Sequence, residues 1–221
     1  MSEIKKTPRS RVKRKHYRGN YDFDTVAAIL DAGFICHVGY NIEGKPYVTP
    51  TSYWREGEHV YWHGSSASRM LREQSKGIDV CFTVTHVDGL VMARSAFNHS
   101  INYRSVMLFG LAGKVEGEDD KLRVLETFTE KLFPGRWSEL RPVTKKELKA
   151  TTVLHMPIEE GSAKIRTGDP GDDEEDYTWP VWAGVVPLSV MASKVSPCPR
   201  LIEGTALPKY LKPVWKLGPH D

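Results

Sequence analysis

The sequence predicts a mainly β protein, a closed antiparallel barrel with flanking helices. It contains six or more short runs rich in β-branched and aromatic residues, turn residues between these runs, and few helical stretches. Closing a sheet into a barrel removes exposed strand edges. With 221 residues, of which 40% are hydrophobic, the chain can form a sizeable core without disulfides.

Each element is predicted from its own local pattern. Helices are expected over 23–32, 66–76, 119–133 and 144–150. Strands are expected over 34–40, 46–54, 59–63, 80–85, 90–93, 105–115, 152–158, 162–166 and 182–188. The Asp88-Gly89 pair predicts a turn that lets residues 90–93 pair back, and Gly110 and Gly113 predict a bulge or sharp bend.

The helix ends carry their own signals. Asp22 or Asp24 is placed to cap the first helix, and Gly33 is placed to stop it. Thr144 and Glu147 form the capping-box pattern of the last helix.

The composition divides the chain into three parts. We expect a basic N-terminal arm over 1–20, a barrel domain over 21–190 and a proline-rich extended tail over 191–221. Eight Lys and Arg residues lie in the first eighteen positions, and acidic residues cluster over 169–176. The arm could bind nucleic acid. The absence of any nucleic-acid-binding motif favours instead a tail that frays or packs on a neighbouring subunit.

The sequence also bears on location and metals. It shows no signal-peptide pattern and no run of about 20 apolar residues, so we expect a soluble, cytoplasmic protein without membrane contact. The three cysteines are far apart and odd in number, which is typical of a reducing compartment. The histidines form no metal-binding spacing, so no metal site is expected.

The first candidate site is the stretch His63-Gly64-Ser65-Ser66-Ala67-Ser68-Arg69. A predicted strand ends here and a predicted helix begins. A helix start presents free N–H groups to an anion, and the serines and Arg69 could add further donors to a phosphate. Taken alone, the same pattern also describes a simple helix cap.

Two further stretches could contact a ligand. Arg104 and Ser105 stand at the mouth of a strongly apolar strand, where an alternative interpretation is a solvated strand end. In the strand containing Val48, Thr49, Pro50, Thr51 and Ser52, Pro50 removes a ladder donor and predicts an exposed backbone edge. Such an edge could pair with a flat heterocycle.

In this order and spacing, the sequence resembles the FMN-binding split-barrel superfamily of pyridoxamine 5′-phosphate oxidases. It resembles most its flavin-nucleotide-binding branch, which includes the nitroimidazole reductases. The matching segments are VTPTSYW, VYWHGSSASRML, VCFTVT, NYRSVMLFGLAGKVE, FPGRW, GSAKIRTGDP and DYTWPVWAGVVPL. The resemblance implies a six-stranded antiparallel split barrel that forms a homodimer with FMN, or FAD, between the subunits.

The resemblance also implies roles for particular residues. The flavin ring would lie along the strand segment 48–53, with contacts from residues 48 to 52. The phosphate would meet the segment 63–70, including His63, Gly64, Ser65, Ser68 and Arg69. Ser105 beside Arg104 would be a polar flavin contact, and Trp182 would reach the flavin of the partner subunit. Met70 stands where the oxidases have a basic residue. Their substrate-phosphate Arg and His have no match, so pyridoxamine phosphate is not the expected substrate.

Two alternatives stay open at this point. His63 is either a catalytic proton donor or substrate contact, or a hydrogen-bonding partner of the flavin. Lys164 and Arg166 either place positive charge near the flavin or pair with the acidic segment 172–176.

The function expected from these observations is an FMN-dependent oxidoreductase acting on a small molecule, with NAD(P)H as electron donor. The alternatives are a flavin carrier or sensor without turnover, or the same fold holding deazaflavin or haem.

Overall fold

The computed structural model describes residues 2–192, 194–211 and 216–217. Its helices are α1 (Phe23–Asp31), α2 (Arg69–Gln74), α3 (Glu118–Leu132) and α4 (Lys145–Ala150). Its strands are β1 (Gly19–Asn20), β2 (Ile35–Ile42), β3 (Lys45–Glu56), β4 (His59–Ser65), β5 (Asp79–Met92), β6 (Ser100–Leu111), β7 (Gly113–Lys114), β8 (Thr151–Pro157), β9 (Glu160–Arg166), β10 (Gly184–Pro187), β11 (Val190–Met191) and β12 (Lys216–Leu217).

Ten strands form one antiparallel sheet within the described residues. Its order is β1-β9-β6-β5-β2-β3-β4-β8-β7, and β10 pairs with β5. The expected class, mainly β with flanking helices, is confirmed. The sheet has ten strands where six were expected: seven longer strands (β2–β6, β8 and β9) and three short ones at 19–20, 113–114 and 184–187.

The main core lies inside the curved sheet and beneath α1 and α2. Trp62, Phe82 and Leu108 are among its fully buried side chains. A second, smaller cluster lies on the outer face, where α3 covers β4 and β8 through Val124 and Phe128. Burying these two faces is the main favourable contribution to folding.

The predicted turn at Asp88-Gly89 is wrong. β5 runs straight through both residues, with only a bulge between Val87 and Gly89. Gly89 is not among the glycines with positive φ, and β10 pairs beside it. The Asp88 carboxylate accepts two hydrogen bonds from Arg104 on β6, at 2.9 and 2.8 Å. Asp88 therefore ties β5 to the neighbouring strand, and the true hairpin tip lies at residues 93–99.

The other deviations have local causes. α2 is shorter than predicted because Ser68, and not an earlier serine, is its N-cap. The glycine signal at 110–113 is confirmed as a bend, since β6 pairs with β5 up to Leu111 and β7 then pairs with β8. A Cβ at Gly113 would lie 2.8 Å from the His155 ring, so any larger residue there would force that ring to shift.

The predicted caps can now be assigned. Asp22, and not Asp24, caps α1 by accepting from the Thr25 N–H at 2.9 Å. The capping box of Thr144 and Glu147 at α4 is present in full.

The N-terminal arm packs on its own chain. Ile4 is buried in the core, and the N–H of Ile4 donates to the Tyr21 carbonyl at 2.9 Å. Arg9 pairs with Glu160 at 2.8 Å and with Asp79 at 2.7 Å, and its guanidinium lies 4.8 Å over the Phe109 ring. These contacts hold part of the arm's positive charge against the end of β9.

The C-terminal segment was expected to be extended. Its described part is largely irregular and runs beside the end of α3, where the Tyr210 hydroxyl donates to Glu139 at 2.8 Å. β11 pairs with β12. None of the helices in the described part of the chain combines the length and apolar character needed to cross a bilayer.

Candidate functional site

A cleft opens where β3 and β4 separate. The two strands pair only from Tyr53↔Trp62 to Glu56↔His59. Residues 45–52 of β3 pair on one side with β2, and residues 63–65 of β4 pair on one side with β8. No strand in the described residues occupies the two edges facing the cleft, so their backbone N–H and C=O groups can bond a ligand. The exposed edge predicted at Pro50 is thus present.

The predicted residues of β3 are divided between the two faces of the strand. Val48 is 68% exposed and Pro50 is exposed, and both lie on the outer face. Thr49 faces the other way, with its hydroxyl 3.2 Å from the Tyr40 hydroxyl. A flat ligand along this edge would meet the backbone of 48–52 and the outer-face side chains.

Arg69 stands beside the cleft with its charge unpaired. Its guanidinium lies 4.8 Å over the ring of Tyr47, which stacks in turn on Tyr40. It forms no ion pair with the described carboxylates, whereas Arg55 and Arg104 each form one. A guanidinium held on an aromatic ring keeps its donors free for an anion.

The loop before α2 uses most of its own donors. The Ser66 N–H donates to the Ala150 carbonyl at 2.8 Å, the Ala67 N–H to Ser65 Oγ at 3.2 Å, and the Ser68 N–H to the Ser65 carbonyl at 2.8 Å. Ser68 makes no side-chain cap bond, so its hydroxyl remains free within the described structure. Of the predicted phosphate donors, Ser68 and Arg69 are therefore the most available.

His63 is packed under α3. Its ring lies 5.8 Å from that of Trp54 and 4.8 Å from that of Phe128. Its Nδ1 is buried without a partner in the described residues, as is Nε1 of Trp54. Burial lowers the pKa of His63 below its ordinary value, so the neutral ring is favoured. Buried polar atoms are normally bonded, which makes these two nitrogens unusual.

Arg104 and Ser105 point to opposite faces of β6. The register places Ser105 on the outer face with Met107, where its hydroxyl donates to the Lys164 carbonyl at 3.2 Å. Arg104 is held by Asp88 on the other face, and this hydrogen-bonded pair raises the pKa of Arg104. The structure therefore does not bring Arg104 together with Ser105.

Trp182 lies on a different edge of the sheet. It is 62% exposed and stands just before β10, whose Gly184 pairs with Met92 of β5. In the sheet, β5 and β2 separate β10 from β3. Within one chain Trp182 is thus set apart from the cleft between β3 and β4.

The acidic segment 172–176 does not pair with Lys164 or Arg166 in the described structure. Arg166 donates to the carbonyls of Gly168 and Asp169, each at 3.2 Å, and to the Asn102 side chain. Asp172 pairs instead with Arg94 at 3.0 Å. Lys164 forms no ion pair within the described part of the chain.

The outer face of β2, β5 and β6 is broad and apolar. Its exposed side chains are Ile35, Val87, Leu90, Met92, Ile101, Met107 and Leu111. The register places them on one side of the sheet, because their neighbours Val38, Phe82 and Leu108 point inward. An exposed apolar patch of this kind marks an interaction surface.

The tip of the β5–β6 hairpin is a feature that sequence reasoning missed. It carries His99 beside the fully exposed Phe97, and Asp172 anchors it through the N–H of Arg94 at 2.9 Å. The incorrect prediction of a turn at Asp88-Gly89 is the reason: it placed a hairpin there, whereas β5 continues to Met92 and the hairpin tip follows at residues 93–99. The local sequence offered one signal for this tip, the apolar Phe97 two positions before His99.

Residues 22–165 match the family described as pyridoxamine 5′-phosphate oxidase. This segment holds the cleft, α2 and the apolar sheet face. The chain belongs to this family. The match confirms the resemblance seen in the sequence, and the split between β3 and β4 agrees with the split-barrel architecture expected from it.

Solved structures extend the comparison beyond the family segment. The flavocytochrome Anf3 from Azotobacter vinelandii is 48% identical, with 93% of this chain and 95% of that chain covered and a TM-score of 0.89. The FAD and haem binding protein from Mycobacterium smegmatis is 35% identical, with 88% and 95% covered and a TM-score of 0.84.

A more distant solved structure shares the fold. A protein assigned to 5-nitroimidazole antibiotic resistance in Bacteroides thetaiotaomicron is 20% identical, with 66% and 86% covered and a TM-score of 0.55. No curated protein is similar enough to the chain to match it. The expected cofactor was FMN, with FAD possible. It fits the family match and the similarity to the flavocytochrome and to the FAD and haem binding protein.

Proposed function

We propose that this protein is a flavin-dependent oxidoreductase that carries haem as a second cofactor and acts as a homodimer. The observation that carries this proposal is the 48% identity, over 93% of the chain, to a flavocytochrome. The 35% identity to a protein that binds FAD and haem supports the same pair of cofactors. We therefore propose haem as a cofactor in addition to the flavin, and not as its replacement.

The residues at the cleft fit a flavin nucleotide. The unpaired edge of Val48–Ser52 offers backbone donors and acceptors to the imide-like edge of the ring. Ser68 and the free guanidinium of Arg69 fit a phosphate. FMN and FAD share these groups, and the second structural neighbour favours FAD.

A bound flavin would supply the electron chemistry, for which NAD(P)H would be the electron donor. The chain binds and orients it. His63 is proposed as a neutral hydrogen-bonding group, because burial lowers its pKa and a proton donor must carry a proton. Its catalytic role is the less favoured alternative.

The part of the apolar outer face that contains Ile35, Met107 and Leu111 supports the homodimer. Joining two copies through Ile35, Met107 and Leu111 would remove their exposed apolar surface from water. The same contact would bring Ser105, and Trp182 of the second copy, toward the flavin, as the resemblance implies.

The test uses full-length protein expressed with a haem precursor. The absorbance spectrum, the chromatographic identity of the released flavin and the haem content are measured, followed by anaerobic addition of NADH or NADPH. Stoichiometric flavin and haem, both reduced by the nucleotide, are expected. Flavin that is bound but never reduced would favour the carrier alternative, and protein that binds neither cofactor would overturn the proposal.

A further inference from the structure

The hairpin tip holds a histidine whose ring orientation is fixed. Nδ1 of His99 lies 2.9 Å from the carbonyl oxygen of Ser95. A carbonyl only accepts, so Nδ1 carries the proton and, in the neutral ring, Nε2 keeps its lone pair. Metal-bound histidines typically have this arrangement, with the second nitrogen donating to a carbonyl or carboxylate.

The carbonyl that orients His99 is itself held in place. The Asp172 carboxylate, whose side chain is completely buried, accepts from the Arg94 N–H at 2.9 Å and from the Arg94 guanidinium at 3.0 Å. The Arg94 guanidinium also lies 4.8 Å over the Tyr177 ring. The segment after β9 therefore fixes residues 94 and 95, and through them the ring of His99.

The surface beside His99 is apolar and unfilled. An open groove of about 640 Å³ is lined by Thr85, Val87, His99, Ser100, Ile101 and Tyr103. Phe97 is fully exposed next to it, and Val87 and Ile101 are nearly half-exposed. A porphyrin needs apolar contacts for its flat faces and a nitrogen ligand for its iron, and the residues that line this groove include both.

From this geometry, and resting on the proposed function, we infer that His99 is the residue that ligates the haem iron, through Nε2, with the porphyrin lying along the groove. The other described histidines are less suited. His16 lies in the basic N-terminal arm, with its ring 6.2 Å from that of Tyr17. His86 Nε2 bonds the Ile29 carbonyl at 2.9 Å, and His63 is enclosed by aromatic rings. His59 and His155 pack on each other at 5.5 Å.

His37 is the strongest competitor and serves as the matched control. It is exposed on the outer face of β2, facing Thr83 in the register. Its ring makes no hydrogen bond within the described part of the chain, so nothing fixes its tautomer. It does not line the groove that Val87 and Ile101 form with His99.

The experiment compares wild type, His99→Gly and His37→Gly, each expressed as the full chain with a haem precursor. The readouts are the haem-to-flavin ratio, the Soret position and the response to added imidazole. For His99→Gly, the haem content should fall by about tenfold or more, or the Soret band should shift. Added imidazole should restore the wild-type haem content or the wild-type Soret position. His37→Gly should match the wild type. Retained flavin shows that each variant is folded.

The possible failures are distinguishable. If His99→Gly keeps the wild-type haem content and Soret band, the inference about His99 is overturned and the proposed function is not affected. Haem loss confined to His37→Gly would have the same consequence. A wild type that binds flavin but no haem, even after reconstitution with haemin, would remove the haem part of the proposed function and the inference with it.

Discussion

The indole N–H of Trp62 donates to Oε1 of Gln74 at 2.9 Å, and both side chains are fully buried. This bond joins β4 to α2, the helix that begins with Arg69. The position of the proposed phosphate contact thus depends on a polar bond inside the core. Buried bonds of this kind are costly to break because the remaining partner stays unsatisfied.

Replacing Gln74 by Leu should therefore destabilise the protein. The orphaned Trp62 N–H should cost about 1–3 kcal/mol in the free energy of unfolding, measured by urea denaturation. Adding Trp62→Phe to this variant removes the orphaned donor, so the double variant should lose less than the sum of the two single losses. Strictly additive losses would show that the bond contributes nothing.

Arg69→Ala should weaken flavin binding with little effect on folding. Hydrogen bonds to charged groups contribute about 1.5–3 kcal/mol, so the Kd should rise by roughly 10- to 150-fold. Quenching of flavin fluorescence on binding to the apoprotein measures this. Arg72→Ala, exposed on the same helix, should bind flavin like the wild type. Equal effects of the two variants would point to a general loss of positive charge.

Stability should depend on pH through His63. Its pKa is lowered from 6.5 by burial, so the unfolded chain binds the proton more readily than the folded one. This contribution to stability is fully present above pH 6.5 and is lost as the pH falls through the folded pKa. Thermal unfolding between pH 7.5 and 5 should show the decline as a falling Tm.

The control for this pH dependence is His63→Phe, which should decline less steeply. His155 contributes in the same direction, because burial and the neighbouring His59 lower its pKa as well. A residual slope should therefore remain in His63→Phe and shrink in the double variant with His155→Phe. An unchanged slope in His63→Phe would show that His63 is not the titrating group.

Met107→Glu should dissociate the proposed homodimer. Met107 is 43% exposed in the apolar outer face, and burying a carboxylate there is unfavourable. Sedimentation velocity should show a dimer for the wild type and a monomer for the variant. Leu140→Glu, at a site that is 42% exposed in the short turn after α3, should remain dimeric. A monomeric wild type would contradict the homodimer itself.

Much of the architecture could be predicted from local sequence signals. The caps of α1 and α4, the amphipathic stripe of α3 and the β-branched and aromatic runs of the strands depend on neighbouring residues along the chain. The edge at Pro50 and the bend near Gly113 were also predictable, because a missing N–H and a missing Cβ each leave few alternatives.

Only the tertiary structure decided which groups meet. The local sequence around Asp88 predicted a turn. In the structure Asp88 lies within a continuous strand, and its carboxylate accepts hydrogen bonds from Arg104, sixteen positions later in the chain. Asp172 looked like one of several surface acids, yet it fixes the loop that orients His99. The sequence by itself determined the mainly β class and the caps, because these follow from short-range backbone preferences. The positions where flavin contacts are expected followed from the resemblance to a known family. Which charges were paired and which stayed free depended on strand register and side-chain direction, which long-range packing alone sets.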